Sequence, residues 1–492
     1  MGAGIMGTGG VTTDLLLIHP GNQGGIYGPL AETLTAIEPP TWTRMIAGWL
    51  RDRGHKIAII DQEAERLSPA EVARRAEELD PRLVAIVVSG HQPSASTQQM
   101  TGARAVARAL SPGMTVVMLG NHPSALPERT LGEENVDLVC DGEGPLTLAA
   151  ILRGDAVDDI PGLFWRHVDG RVRRNPLAPL IPIDELHGDV WDLLPMERYR
   201  AHNWQCFDGS LRQPYASIYT TLGCPFRCGF CMINVFQHAH TYRRRDPARV
   251  VEQIDRLYRE HGVRTLKFAD EMFVLDDRHV RAICGGLAAK SYAEELNIWA
   301  YARIDTVKPR TLDLLRRAGI RWLALGIESG SALVRDGADK SFTNADIKAT
   351  VRAIQAAGVN VIGNFIFGLP DDTLESMQAT LALAKELNCE FANFYCAMAY
   401  PGSTLHDQAV ANGWRLPASW SGYSQHSRDC TPLPTETLSS AEVLRFRDAA
   451  FNSYFNDPAY RNMIGEKFGL EARLEIQRMT ARHLKRDLLE AA

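Results

Sequence analysis

The chain has 492 residues, more than one hydrophobic core holds, and its 45% hydrophobic and 23% charged composition is that of a globular protein of roughly two to four domains. A net charge of -6 argues against a protein whose main task is gripping nucleic acid or an anionic membrane. No apolar run approaches the roughly 20 residues that span a bilayer.

The opening "MGAGIMGTGG" lacks the basic stretch of a signal peptide, and Met6 stands where a myristoylation site needs Ser or Thr. Five apolar runs follow: "DLLLIHP" (14–20), "KIAIID" (56–61), "LVAIVV" (83–88), "TVVMLG" (115–120) and "VDLVC" (136–140). They alternate with helical patterns such as "SPAEVARRAEEL". β-Branched runs without polar alternation predict strands buried on both faces, hence a parallel, doubly wound, Rossmann-like sheet over 12–150. Ligands bind such sheets at the carboxyl ends of the strands. Those ends carry "HPGNQGG" (19–25), "SGHQPSAS" (89–96), "GNHPSAL" (120–126) and "DGEGP" (141–145).

Residues 151–210 read as a connector with a small hairpin turning at Asp169–Gly170. From 211 to 405 the βα alternation resumes and counts to six, with strands near 215–221, 264–269, 297–303, 321–327, 359–367 and 390–398. Six units predict a partial barrel whose chemistry lies where the strands end. Residues 406–492 read as a mostly helical C-terminal cap. The fold class is therefore α/β.

Nine cysteines are present, three clustered and six scattered in apolar surroundings, as Cys284 and Cys396 are. Scattered single cysteines read as reduced thiols of a cytoplasmic protein. The cluster is Cys224, Cys228 and Cys231 in "TTLGCPFRCGFCMI", directly after the first barrel strand. Three thiolates can hold three corners of a [4Fe–4S] cube and leave the fourth iron open. A Cys3His zinc site using His238 or His240 is the competing reading, and three unliganded thiols the third.

"GCPFRCGFC" resembles the signature of the radical S-adenosylmethionine (radical SAM) superfamily. The resemblance implies that S-adenosylmethionine chelates the open iron and is cleaved on reduction to a 5'-deoxyadenosyl radical. It further implies that an external donor of flavodoxin or ferredoxin type supplies the electron. Strand ends then acquire roles by likeness to the family. Glu271, Arg303, Glu328 and Ser329 would meet polar parts of the cosubstrate, Phe230 and Ile366 would lie beside its adenine, and Gly368 would leave room for it. Asp270 ends the same strand as Glu271.

The first domain is similar to the cobalamin-binding domain that precedes the barrel in one radical SAM subgroup, through "GNHPSALPERTL" and "VDLVCDGEGP". That resemblance implies cobalamin held by Ser89, Gly90, Gly120, Asn121 and Glu143. The D-x-H-x-x-G motif that places a histidine on cobalt is absent, so His19, His91 and His122 are expected to leave the cobalt without one. The implied activity is methylation of an unactivated carbon of a mid-sized organic substrate, with Tyr301, Asn364, Tyr395 and Tyr400 as substrate neighbours. Rivals are a radical cyclase of the anaerobic magnesium-protoporphyrin type, an RNA methylthiotransferase and a non-catalytic cobalamin sensor.

Overall fold

A computed structural model of the chain describes residues 13–21, 23–28 and 35–490. The opening segment 1–12 and Asn22 of the first strand-end loop lie outside the described residues.

Five parallel strands form the first sheet: β1 (Leu15–His19), β2 (Ile57–Asp61), β3 (Leu83–Val88), β4 (Val116–Gly120) and β5 (Leu138–Cys140). Every residue of β1, β3 and β4 is buried, because helices cover both faces. The Thr41–Arg51 helix buries Trp42, Met45 and Ile46 on one side. Helices Pro69–Leu79 and Ser96–Ala109 bury Val72, Met100 and Val106 on the other. Ser68 and Glu71 form a reciprocal capping box that fixes where the Pro69–Leu79 helix starts.

Strand order is β2-β1-β3-β4-β5, so the chain reverses direction across the sheet between β1 and β3. The crevice for a ligand lies outside the carboxyl ends of those two strands. His19 ends β1, and His91 follows β3, their rings 5.6 Å apart.

The expected hairpin is present as β6 (Leu163–Arg166) and β7 (Val172–Arg174). It is not part of a separate connector. β6 pairs antiparallel with β5 and extends the first sheet, burying Leu163, Phe164 and Trp165.

The second sheet runs β8 (Tyr215–Ile218), β11 (Thr265–Phe268), β12 (Asn297–Arg303), β13 (Ile320–Glu328), β14 (Asn360–Phe367) and β15 (Phe391–Cys396). All neighbours are parallel and sequential, which is the six-unit partial barrel. Two short strands, β9 (Thr221–Leu222) and β10 (Arg243–Arg244), pair antiparallel and pinch off the cysteine loop between them.

C-terminal helices Ser440–Phe455, Pro458–Phe468 and Leu470–Thr480 share the barrel's core through Val443, Tyr454, Tyr460 and Ile476. The C-terminal cap is thus mostly helical, as expected for 406–492. Among the described residues no helix is long and apolar enough to cross a membrane.

Candidate functional site

The cysteine loop is held at its root, middle and flank. At the root, Asp270 at the end of β11 is fully buried and accepts the Thr220 N–H and hydroxyl, both at 2.5 Å. In the middle, Asn234 clamps Cys224, accepting its N–H at 3.1 Å and donating to its carbonyl at 2.8 Å. Cys231 N–H bonds to the Cys228 carbonyl at 3.0 Å, which tightens the turn between the two thiols. On the flank, Leu405 N–H reaches the Gly229 carbonyl at 2.8 Å.

The three thiols line one cavity of about 600 Å³ between the two sheets. Burial pushes the Cys224 thiol up to about 11 and raises those of Cys228 and Cys231 as well. Their thiolates thus need a cation to form at neutral pH, as metal ligands do.

The two imidazoles considered for zinc are engaged elsewhere. His238 Nε2 sits 2.6 Å from Asp141, and His240 Nδ1 lies 2.9 Å from Asn234 and 3.0 Å from the Phe226 carbonyl. Among the described residues no three His, Cys, Asp or Glu are gathered about a single ion. In a cube each cysteine binds its own iron, so the donor set fits a [4Fe–4S] cluster better than a mononuclear zinc site.

Charged side chains surround the thiols. The Arg303 guanidinium lies 3.7 Å over the Phe226 ring, forks onto Asp305 with two 3.0 Å contacts, and points Nη1 at the Cys228 sulfur, 3.8 Å away. Glu271 accepts the Gly223 N–H at 3.1 Å, and burial lifts its carboxyl to about 8. Glu328 ends β13 with φ +63° and pairs with Lys340, which also donates to the Gly326 carbonyl at 3.0 Å. A Cβ at Gly326 would lie 2.6 Å from both partners, so glycine there makes room for the pair. Phe230 and Ile366 pack in one small apolar cluster beside them.

The opposite wall belongs to the first domain: Tyr27, His91, Gln92, Ser94, Gln98 and Gln99 line the same cavity. A family model described as the radical SAM superfamily matches residues 218–384, and one described as the B12 binding domain matches 28–152. A relative in Pyrococcus horikoshii, described as an uncharacterized methyltransferase, is 31% identical over 83% of this chain and 86% of its own length. The chain belongs to the cobalamin-binding radical SAM superfamily.

A relative further away is the anaerobic magnesium-protoporphyrin IX monomethyl ester cyclase of Cereibacter sphaeroides, 24% identical over 89% of this chain and 69% of that one. In fold, the chain resembles the radical S-adenosylmethionine methyltransferase TsrM of Kitasatospora setae, solved with cobalamin and a [4Fe–4S] cluster. The TM-score is 0.68 at 18% identity, covering 98% of this chain and all of that one.

For this radical SAM protein the expected site residues divide in two. Phe230, Glu271, Arg303, Glu328, Ile366, Tyr301, Asn364, Tyr395 and Tyr400 all border the cavity with the thiols. Ser329 does not: it is fully buried, its hydroxyl 3.0 Å from that of Thr380. Gly368 also lies off the cavity, and a Cβ there would strike Val443 at 2.6 Å, so a C-terminal helix explains this glycine.

The residues expected to contact cobalamin from the glycine-rich loops do not border this cavity. Ser89 Oγ meets Asn121 Oδ1 at 3.2 Å, and Gly90 N–H donates to Ser96 at 2.9 Å, both within the loop's own scaffold. Gly120 has φ +116°, and a Cβ there would stand 2.3 Å from the Val88 carbonyl, so strand packing demands it. Glu143 accepts the Ile181 N–H at 2.9 Å and pairs with Arg243, clasping the cysteine loop's exit strand instead of facing the cavity. His122 is buried against Thr97 and Trp420, away from the cavity.

Four uncharged donors and acceptors of the first domain, Gln92, Ser94, Gln98 and Gln99, line the cavity that the thiols also line. This chemistry fits the amide-fringed face of a corrin. Both ring nitrogens of His19 and the Asn121 amide nitrogen are buried with no hydrogen-bond partner among the described residues. Sequence reasoning missed Asn234, Lys340 and these four polar residues; "HQPSASTQQ" carried the signal, running from the switch-point loop into the first turn of the helix Ser96–Ala109.

Proposed function

We propose that this radical SAM protein is a cobalamin-dependent methyltransferase acting on an unactivated carbon of a mid-sized organic substrate. The observation that carries the reading is one cavity lined both by the three thiols and by residues of the 91–99 segment of the B12-binding domain. Names of relatives support methyl transfer: the Pyrococcus methyltransferase, a hopanoid C-3 methylase of Methylococcus capsulatus and a cytidylyl-2-hydroxyethylphosphonate methyltransferase of Streptomyces wedmorensis.

In this reading Cys224, Cys228 and Cys231 hold a [4Fe–4S] cluster, Gln92, Ser94, Gln98 and Gln99 face cobalamin, and the strand ends of β11–β14 hold S-adenosylmethionine. When bound, these groups supply an electron, a deoxyadenosyl radical and a methyl donor in one chamber. The chain's own part is positional. Arg303 and the Glu328–Lys340 pair present fixed charges to the cosubstrate's amino-acid moiety. Phe230 and Ile366 offer an apolar seat for its purine, and the half-buried rings of Tyr301 and Tyr395 shield a reactive carbon from water. Asn364, held by Asn393 at 2.9 Å, and Tyr400 complete the substrate's wall. An external one-electron donor of flavodoxin or ferredoxin type, action in the cytoplasm and no nucleic-acid partner belong to the same proposal.

A second reading, radical cyclisation without methyl transfer, has the cyclase relatives in its favour. Anaerobic reconstitution with iron, sulfide and cobalamin, followed by reduction and mass spectrometry, separates the two. Methyl transfer yields S-adenosylhomocysteine together with 5'-deoxyadenosine; 5'-deoxyadenosine alone sinks it in favour of cyclisation.

A further inference from the structure

Three of the cations that line the cavity each pair with a carboxylate of their own. Lys267 pairs with Glu38 at 3.0 Å, Lys340 with Glu328, and Arg303 with Asp305 at 3.0 Å. Arg447, on the helix Ser440–Phe455, differs. Its Nη1 donates to Asp448 at 2.8 Å, but Asp448 also takes Arg486, through Nε at 3.0 Å and Nη2 at 3.0 Å. Two arginines, 6% and 2% exposed at their side chains, thus share one carboxylate and leave a net positive charge in the wall.

Arg486 is engaged at every nitrogen, with further bonds to the Ser427 and Gln425 carbonyls. Arg447 is not. Its Nε donates to the Phe394 carbonyl at 2.7 Å, and its Nη2 makes no hydrogen bond to any described residue while the side chain borders the cavity.

A guanidinium edge that opens on a largely enclosed cavity without a partner of its own is a seat for an anion. Around it stand Phe451, Tyr395 and the Tyr27–His426 ring pair, whose centroids are 5.0 Å apart. Burial, followed by the charges of Arg447 and Arg486, pushes His426 down to about 3, so the imidazole there is neutral and adds no second charge. Tyr395 and Glu328 line the same cavity as Arg447.

We propose that Arg447 is the anchor for a carboxylate on the substrate, and that the substrate is an aromatic or similarly flat monocarboxylate. The two arginines around Asp448 carry one net positive charge, which one carboxylate matches. The inference rests on the radical SAM reading only in taking this cavity as the substrate chamber.

The test is equilibrium dialysis of the reconstituted holoenzyme against phenyl- and indolyl-alkanoic acids of one to four methylenes and their primary amides, read by mass spectrometry. The wild type should retain at least one acid tenfold or more over its amide. Arg447→Gln should lose that preference and Arg447→Lys keep part of it, with the cobalamin and cluster absorbance of both variants unchanged. No acid preference in the wild type, including no retention at all, overturns the proposal whatever the variants do, as does a preference that survives in Arg447→Gln. If Arg447→Gln instead sheds cobalamin, or needs more S-adenosylmethionine for cleavage, the anion is a cofactor's and the proposal falls. Deoxyadenosine formation is scored separately, so failure of the radical reading is visible on its own.

Discussion

Lys267 Nζ, inside the barrel on β11, donates to the His91 carbonyl at 2.7 Å and to Glu38 at 3.0 Å, joining the barrel to the switch-point loop of the first domain. Both side chains of the ion pair are at most 5% exposed. Removing the lysine leaves a carboxylate buried without its cation, a loss of about 3–5 kcal/mol. Lys267→Met should therefore melt well below wild type, and Lys267→Met with Glu38→Gln should recover part of the loss. A double variant no more stable than the single one would show that the pair is not what the lysine supports.

The cysteine triplet is tested by chemistry. Cys228→Ala should lower bound iron and abolish reductive formation of 5'-deoxyadenosine. Cys206→Ala, whose thiol lies off the cavity, should leave both near wild type. Cleavage that persists in Cys228→Ala at wild-type rate would refute the cluster assignment.

The sheets were legible because their cause is local. Runs such as "LVAIVV" are apolar on both faces, and only a strand covered by helices on both sides uses that pattern; β3 is Leu83–Val88 as read. The thiol loop was legible because three ligands sit within eight residues. What the sequence hid is pairing at a distance. Glu143 sits in a glycine-rich loop at a strand end and reads as a ligand contact. It is taken by Arg243, a residue 100 positions away, because the two domains close on the cysteine loop. Asp141 is taken by His238 in the same way. Gly368 and Gly120 read as space for ligands, while the structure shows Val443 and the Val88 carbonyl filling that space. No spacing rule announces that Lys340 will neutralise Glu328 across a left-handed turn.

Asp61, 1% exposed at the end of β2, gives a pH signature. Burial raises its carboxyl to about 7 against an ordinary 3.8, despite the Ala64 N–H at 3.1 Å and the Tyr199 hydroxyl at 2.8 Å. The folded state keeps the proton that the unfolded chain gives up. Stability is therefore full below about pH 4, falls by up to about 1.4 kcal/mol per pH unit as pH rises toward 7, and levels off above it. Asp61→Asn should flatten this segment of the melting-point profile between pH 5 and 7. A variant profile parallel to wild type would mean Asp61 is ionised in the fold.

Arg303 separates positioning from mere charge. Its Nε and Nη2 are fixed on Asp305 and its plane lies on Phe226, so the fork has one free direction, where Nη1 faces Cys228. A lysine keeps the charge but neither stacks as a plane nor grips Asp305 with two parallel bonds. If the free edge meets the cosubstrate, losing one charge-assisted hydrogen bond of about 1.5–3 kcal/mol raises the KM for S-adenosylmethionine by roughly 10- to 100-fold in Arg303→Lys. Iron content and the cluster's absorbance should stay at wild-type values, because Arg303 is not a ligand. If iron falls in step with activity, the residue supports the cysteine loop, and the assignment to the cosubstrate fails. An unchanged KM with full iron fails it too, since the charge alone would then suffice.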